Sequence, residues 1–139
     1  MTYEKINIGD TASVTKVITD EMIRLFADIS GDDNPVHLDD EAAKQSVFGE
    51  RVAHGILVVG LISNVLGTKL PGAGSIYVSQ QVSFLRPVKV NDEITATVEV
   101  IAKDDKRGRV TCKTICTNQF GKTVIKGESI GQVPKRTTT

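Results

Sequence analysis

Neither sign of charge predominates in the 139-residue sequence, whose 17 basic and 17 acidic side chains cancel. That balance argues against a broad electrostatic grip on nucleic acid or on an anionic membrane, so any anionic ligand has to be met locally. No stretch reaches the roughly 18 to 20 apolar residues that span a bilayer, and the first ten residues, MTYEKINIGD, lack an apolar signal region. The expectation is a cytoplasmic protein with neither a membrane nor a nucleic-acid partner. Cysteine is scarce. Cys112 and Cys116 lie four apart in a predicted strand, on one face and too distant for an easy bridge, and are read as free thiols. Repeats and low-complexity linkers are absent, and the length suits a single domain over residues 1–139.

Several chemical signatures are missing as well. No Gly-x-Ser-x-Gly elbow surrounds Ser63, which argues against an acyl-serine mechanism. Gly72-Ala73-Gly74 lacks the Lys-Ser/Thr of a phosphate loop and reads as a turn. Asp32, Asp33, His37, Asp39 and Asp40 cluster, but a calcium loop begun at Asp28 would put Asp33 where Gly is needed and Asp39 where Glu is usual. Two histidines and two spaced cysteines make a poor zinc cage. No metal and no organic cofactor are expected.

What the sequence does contain is concentrated between Gly31 and Ser63, a stretch that holds both histidines, His37 and His54. Asp32-Asp33-Asn34-Pro35 is turn chemistry, because Asp and Asn bond their own backbone and Pro35 pushes Asn34 toward extended conformations. Asp32 and His37 are therefore placed on an irregular loop, where a carboxylate and an imidazole can converge on one small molecule and move protons to and from a water. From Gly55 the chain turns apolar, with Ile56, Leu57, Val58, Val59, Leu61, Ile62, Val65 and Leu66 preceding the first charge at Lys69. This predicts a helix from about Gly55 to about Lys69, wrapped on all sides. Its first turn, with unpaired N–H groups and a positive dipole end, suits a carbonyl oxygen that becomes negative during reaction, and Gly55 admits close approach. His54 reads as a residue that caps the helix entrance or bonds the loop. Ser63, two turns on, reads as bonding a carbonyl one turn back.

Around this centre, Ser13–Ile18 reads as a short strand, and Thr19-Asp20-Glu21 caps a helix that Gly31 ends. Met22, Ile23, Leu25, Phe26 and Ile29 are assigned to its apolar face, with Arg24, Ala27 and Asp28 opposite. A helical turn is expected around Asp40–Gln45. Strands are predicted over Ile76–Leu85, Glu93–Lys103, Arg109–Asn118 and Lys122–Val133, the last three joined by tight turns into antiparallel hairpins, with residues from Pro134 onward as a frayed tail. Arg86, Lys103, Lys106 and Arg107 are candidates to meet phosphates or, equally, solvated surface.

Ser30-Gly31-Asp32-Asp33-Asn34-Pro35-Val36-His37, together with Phe48-Gly49 and Ala53-His54-Gly55, resembles the MaoC-like dehydratases, most closely the R-specific enoyl-CoA hydratases of the hot-dog fold. The later Val82-Ser83-Phe84-Leu85-Arg86-Pro87-Val88 resembles the family's segment after its central helix, while Asn91-Asp92 stands where relatives commonly have Gly-Asp. The resemblance implies an α+β fold in which an antiparallel sheet wraps a central apolar helix. It further implies hydration of a trans-2-enoyl-CoA to the (R)-3-hydroxyacyl-CoA, with Asp32 and His37 catalytic and coenzyme A present as part of the substrate. A polar residue at Ser63 near the pocket, and a homodimer or dimer of dimers that binds acyl-CoA between subunits, follow from it too. Gly55 would hold the thioester oxygen, with Ser63 and His54 as further substrate-binding candidates. Two rivals remain open at this point: an acyl-CoA thioesterase, which would release free thiol, and a non-catalytic acyl-CoA-binding module.

Overall fold

The computed structural model describes residues 2–135. Strand β1 (Thr11–Val17) leads into α1 (Asp20–Ser30), two short helices follow, α2 (Pro35–Leu38) and α3 (Asp40–Lys44), and then comes the long α4 (Gly55–Thr68). Strands β2 (Ile76–Phe84), β3 (Glu93–Asp104), β4 (Arg109–Thr117) and β5 (Thr123–Gln132) complete one antiparallel sheet in the order β1-β3-β4-β5-β2. The two tight turns make the β3-β4 and β4-β5 hairpins as expected. β2 instead crosses to the far edge to pair with β5.

The sheet curls around α4 because the strands alternate. Ile94, Ala96, Val98 and Val100 on β3, Val110, Cys112 and Cys116 on β4, and Ile125 on β5 are all buried, and they meet Val58, Ile62 and Val65 of the helix. Each such Val or Ile contributes about 1.5–3 kcal/mol when fully removed from water. Both cysteines lie in this core as free thiols, and burial pushes them up to about 11 for Cys112 and about 12 for Cys116. This is the hot-dog arrangement, an α+β fold.

The helix is not wrapped on all sides by its own chain. Ile56, Gly60, Ser63 and Gly67 form an exposed stripe, and a Cβ added at Gly60 or Gly67 would meet nothing within 4 Å. An evenly apolar sequence shows that a helix avoids water without showing which chain covers it. The face of α1 also needs correction: Ile23 and Ala27 are the buried pair, whereas Leu25 and Ile29 are exposed. Five apolar positions span more of the circumference than one neighbour can cover, and the small Ala27 fits the close approach.

Thr19 caps α1 by accepting from the Met22 N–H at 3.2 Å, and Gly31 ends it in the left-handed conformation at φ 80°. Asn91 adopts the left-handed conformation, at φ 72°. Pro134, expected to begin a frayed tail, is tied down: its carbonyl accepts from the Tyr3 N–H at 3.1 Å. Residues 136–139 of that expected tail lie outside the described residues.

Candidate active site

The loop expected to carry both Asp32 and His37 is partly helical. Asn34 accepts from the Val36 N–H at 3.3 Å, Pro35 opens the first turn, and His37 stands on the short helix α2 rather than on irregular chain. Capping by Asn with Pro at the first position is a helix start, and the Asp-rich turn before it masked that signal. Asp32 remains on the connection from α1, its Oδ1 accepting from the Asn34 N–H at 3.3 Å.

His37 is held on two sides. Its Nδ1 lies 2.7 Å from the Val52 carbonyl, and since a carbonyl only accepts, Nδ1 is the donor, which in the neutral ring leaves Nε2 as the acceptor. Its own carbonyl accepts from Arg51 Nε at 2.8 Å. Arg51 also pairs through Nη2 with Asp20, whose carboxyl is held below the usual carboxylate range by the Arg51 hydrogen bond first and that of Arg24 second. Arg51 therefore ties His37 to the start of α1. Sequence reasoning passed over it, because no local pattern links residues 20 and 51.

His54 precedes α4 without a side-chain capping bond, and its buried Nε2–H donates to the Asp32 carbonyl at 2.9 Å. Its Nδ1 is buried with no partner among the described residues. The role that the structure gives His54 is thus to anchor the loop. One ligand atom from each of Asp32, His37 and His54 lies within 4.8 Å of the others. That spacing also lies within reach of a single small molecule.

His37 and Gly55 border a cleft of about 460 Å3 whose other walls are Phe48, Val52, Ile56, Phe84, Val88 and Ile125. Asp32 stands beside this cleft and outside its lining. The Gly55 N–H, at the first helical position, has no acceptor within its helix and is available to a ligand. Arg86 lines the same cleft while its Nη1 donates to the Thr123 carbonyl at 2.7 Å. Ser63 does not join this group. It lines a separate recess of about 200 Å3 with Leu66, Gly67, Tyr77 and Gly131, about two turns along α4 from Gly55.

Residues 6–125 match the family described as MaoC like domain. An (R)-specific enoyl-CoA hydratase of Rhodospirillum rubrum is 46% identical over 134 residues, covering 96% of this chain and 92% of that protein. A 3-hydroxybutyryl-CoA dehydratase of Methylorubrum extorquens is 40% identical over 135 residues, covering 96% and 85%. Among solved structures, the R-hydratase of Aeromonas caviae involved in PHA biosynthesis superposes with a TM-score of 0.91 at 37% identity, covering 94% of this chain and 99% of that one. With the motif residues gathered at one helix entrance and this likeness running nearly end to end, the chain belongs to the MaoC-like domain family.

Proposed function

We propose that this protein is a lyase that hydrates trans-2-enoyl-CoA to (R)-3-hydroxyacyl-CoA, and reverses that reaction, using Asp32 and His37 on one water. The observation that carries the reading is the convergence of Asp32 and His37, the latter with its Nδ1 engaged by the Val52 carbonyl, beside an apolar cleft that begins at the free Gly55 N–H. In the forward direction the water oxygen bonds to the β-carbon, one proton of that water is taken up at the Asp32/His37 pair, and a proton is delivered to the α-carbon as the C=C π bond is lost. Negative charge gathers on the thioester oxygen in between. The Gly55 N–H stabilises it, an effect typically worth about 3 kcal/mol per donor. These steps require neither a metal nor an organic cofactor.

The same proposal includes a second copy of the chain. β2 is a sheet edge with Ile76, Tyr77 and Val78 exposed, and the open stripe of α4 lies beside it. Antiparallel pairing of two β2 edges about a two-fold axis would set the Ile76 end of one copy against the Phe84 end of the other. The Ser63 recess of one chain would then extend the Gly55 cleft of its partner, which gives Ser63 its place in a composite site. Two unpaired thiols suit a reducing compartment, and we assign the enzyme to the cytoplasm.

Crotonyl-CoA is the test substrate. Loss of enoyl absorbance with no free thiol released, and an R-configured product, is the expected result. Thiol release would convert the reading to a thioesterase, and binding without turnover to a non-catalytic module.

A further inference from the structure

Phe84 ends β2 beside the mouth of the cleft, and its ring is seated on Gly55. A Cβ placed on Gly55 would meet ring carbons of Phe84 at 2.5, 2.6 and 3.2 Å. The ring thus fills the space just off the Gly55 Cα, next to the N–H that receives the thioester oxygen and in the same cleft as His37. It is 52% exposed on the single chain, a large apolar side chain held at the site rather than in the core. Nothing in the core cluster requires it there, since the buried group around α4 forms without it.

We propose that Phe84 is a specificity-determining residue that restricts the enzyme to 2-enoyl thioesters unbranched at the α-carbon. This rests on the hydratase reading above. With the thioester oxygen on the Gly55 N–H, the carbonyl carbon lies beside Gly55, and the α-carbon is one bond further. A hydrogen on that carbon fits beside the ring. A methyl there has to enter the volume that the ring occupies. His37 lines the same cleft and has to stay within reach of the water, so a substrate displaced by the ring loses its catalytic alignment. Rejection of one added methyl by a packed pocket typically amounts to about 10–200-fold in kcat/KM.

The experiment compares crotonyl-CoA with its 2-methyl analogue, tiglyl-CoA, in the full-length wild type and in Phe84→Ala and Phe84→Leu. The wild type should prefer crotonyl-CoA by about 10–200-fold or more in kcat/KM. Phe84→Ala should narrow that preference at least about tenfold, and Phe84→Leu should fall between. A structural role alone would lower both substrates by the same factor and leave the ratio untouched. Should Phe84→Ala fold poorly, the Leu variant, which keeps an apolar side chain against Gly55, reads the ratio in its place. An unchanged ratio in a variant that still hydrates crotonyl-CoA overturns the proposal alone, as does a wild type that takes both substrates equally. Failure of the wild type to hydrate crotonyl-CoA overturns the hydratase reading and this proposal with it.

Discussion

The imidazole rings of His37 and His54 lie 3.8 Å apart, centroid to centroid, with their planes tilted by 30°. Each ring gives one N–H to a backbone carbonyl, His37 through Nδ1 to Val52 and His54 through Nε2 to Asp32, because a carbonyl can only accept. The consequence is a division of labour. His37 lines the cleft with its Nδ1 engaged by the backbone, while His54, closed in by Phe26 at 4.8 Å on the ring centroids, holds the loop that carries Asp32. The histidine at the helix entrance thereby fixes the loop that carries Asp32 beside His37.

Asp32→Asn and His37→Gln are expected to fold normally and to lose hydratase turnover by about 10²-fold or more, since near-isosteric polar groups keep the hydrogen bonds and not the proton transfer. The double variant should add little if, as proposed, the two residues act on one water. Steady-state rates with crotonyl-CoA check this. Either single variant retaining more than about a tenth of wild-type turnover would remove that residue from the chemistry.

Gly55→Ala should lower kcat more than it raises KM, because the donor at Gly55 matters most when the thioester oxygen is charged. The added methyl collides with the Phe84 ring, whose far end can swing aside, so the displaced ring intrudes on the cleft and leaves the helix intact. Combining Gly55→Ala with Phe84→Ala should therefore recover part of the lost kcat for crotonyl-CoA. A purely KM-directed loss would count against a donor at Gly55, and no recovery in the double variant against the collision.

Much of this was legible in the sequence, and the failures share one physical cause. Thr19, Gly31 and Gly55 mark helix ends by chemistry confined to a single turn, and β3 and β4 announce themselves by alternation, so these elements were placed to within a residue or two. Arg51 and Phe84 act through partners distant in the chain, which no local spacing encodes. The exposed stripe on α4 was missed for the same reason: Ile56 and Val58 are equally apolar, yet one is 59% exposed and the other fully buried in the single chain.

The Asp20–Arg51 pair predicts a pH signature. Arg51 and Arg24 hold the Asp20 carboxyl below its usual range, so the folded state binds that proton less readily than the unfolded chain does. A depressed carboxylate contributes stability that is complete above the ordinary aspartate value of about 3.9 and is lost as pH falls through the lowered folded value. Asp20→Asn should accordingly be less stable than wild type at pH 7, with the gap closing below about pH 4. Asp20 is 46% exposed at its side chain, so solvent screening keeps the gap small. Urea midpoints across pH 2–7 measure it, and a gap that does not depend on pH would assign the variant's loss to packing instead.

Assembly is the last prediction, and it follows from surfaces that a single chain leaves open. Ile76, Tyr77, Val78, Phe84 and Ile56 are all exposed, on or next to the unpaired edge of β2, where neighbouring apolar side chains and free backbone groups invite another strand. Pairing two β2 edges satisfies those backbone groups, covers the stripe on α4 and brings the Ser63 recess to the partner's cleft. Activity should then require assembly. Sedimentation and specific activity measured across one dilution series should fall together, and Gln81→Pro, which removes a backbone donor from β2, should lower both. Ser63→Ala should cost less activity than Gly55→Ala, because Ser63 lines a distal recess and offers no donor at the reacting centre. A fully active monomer of about 15.0 kDa would overturn the shared site.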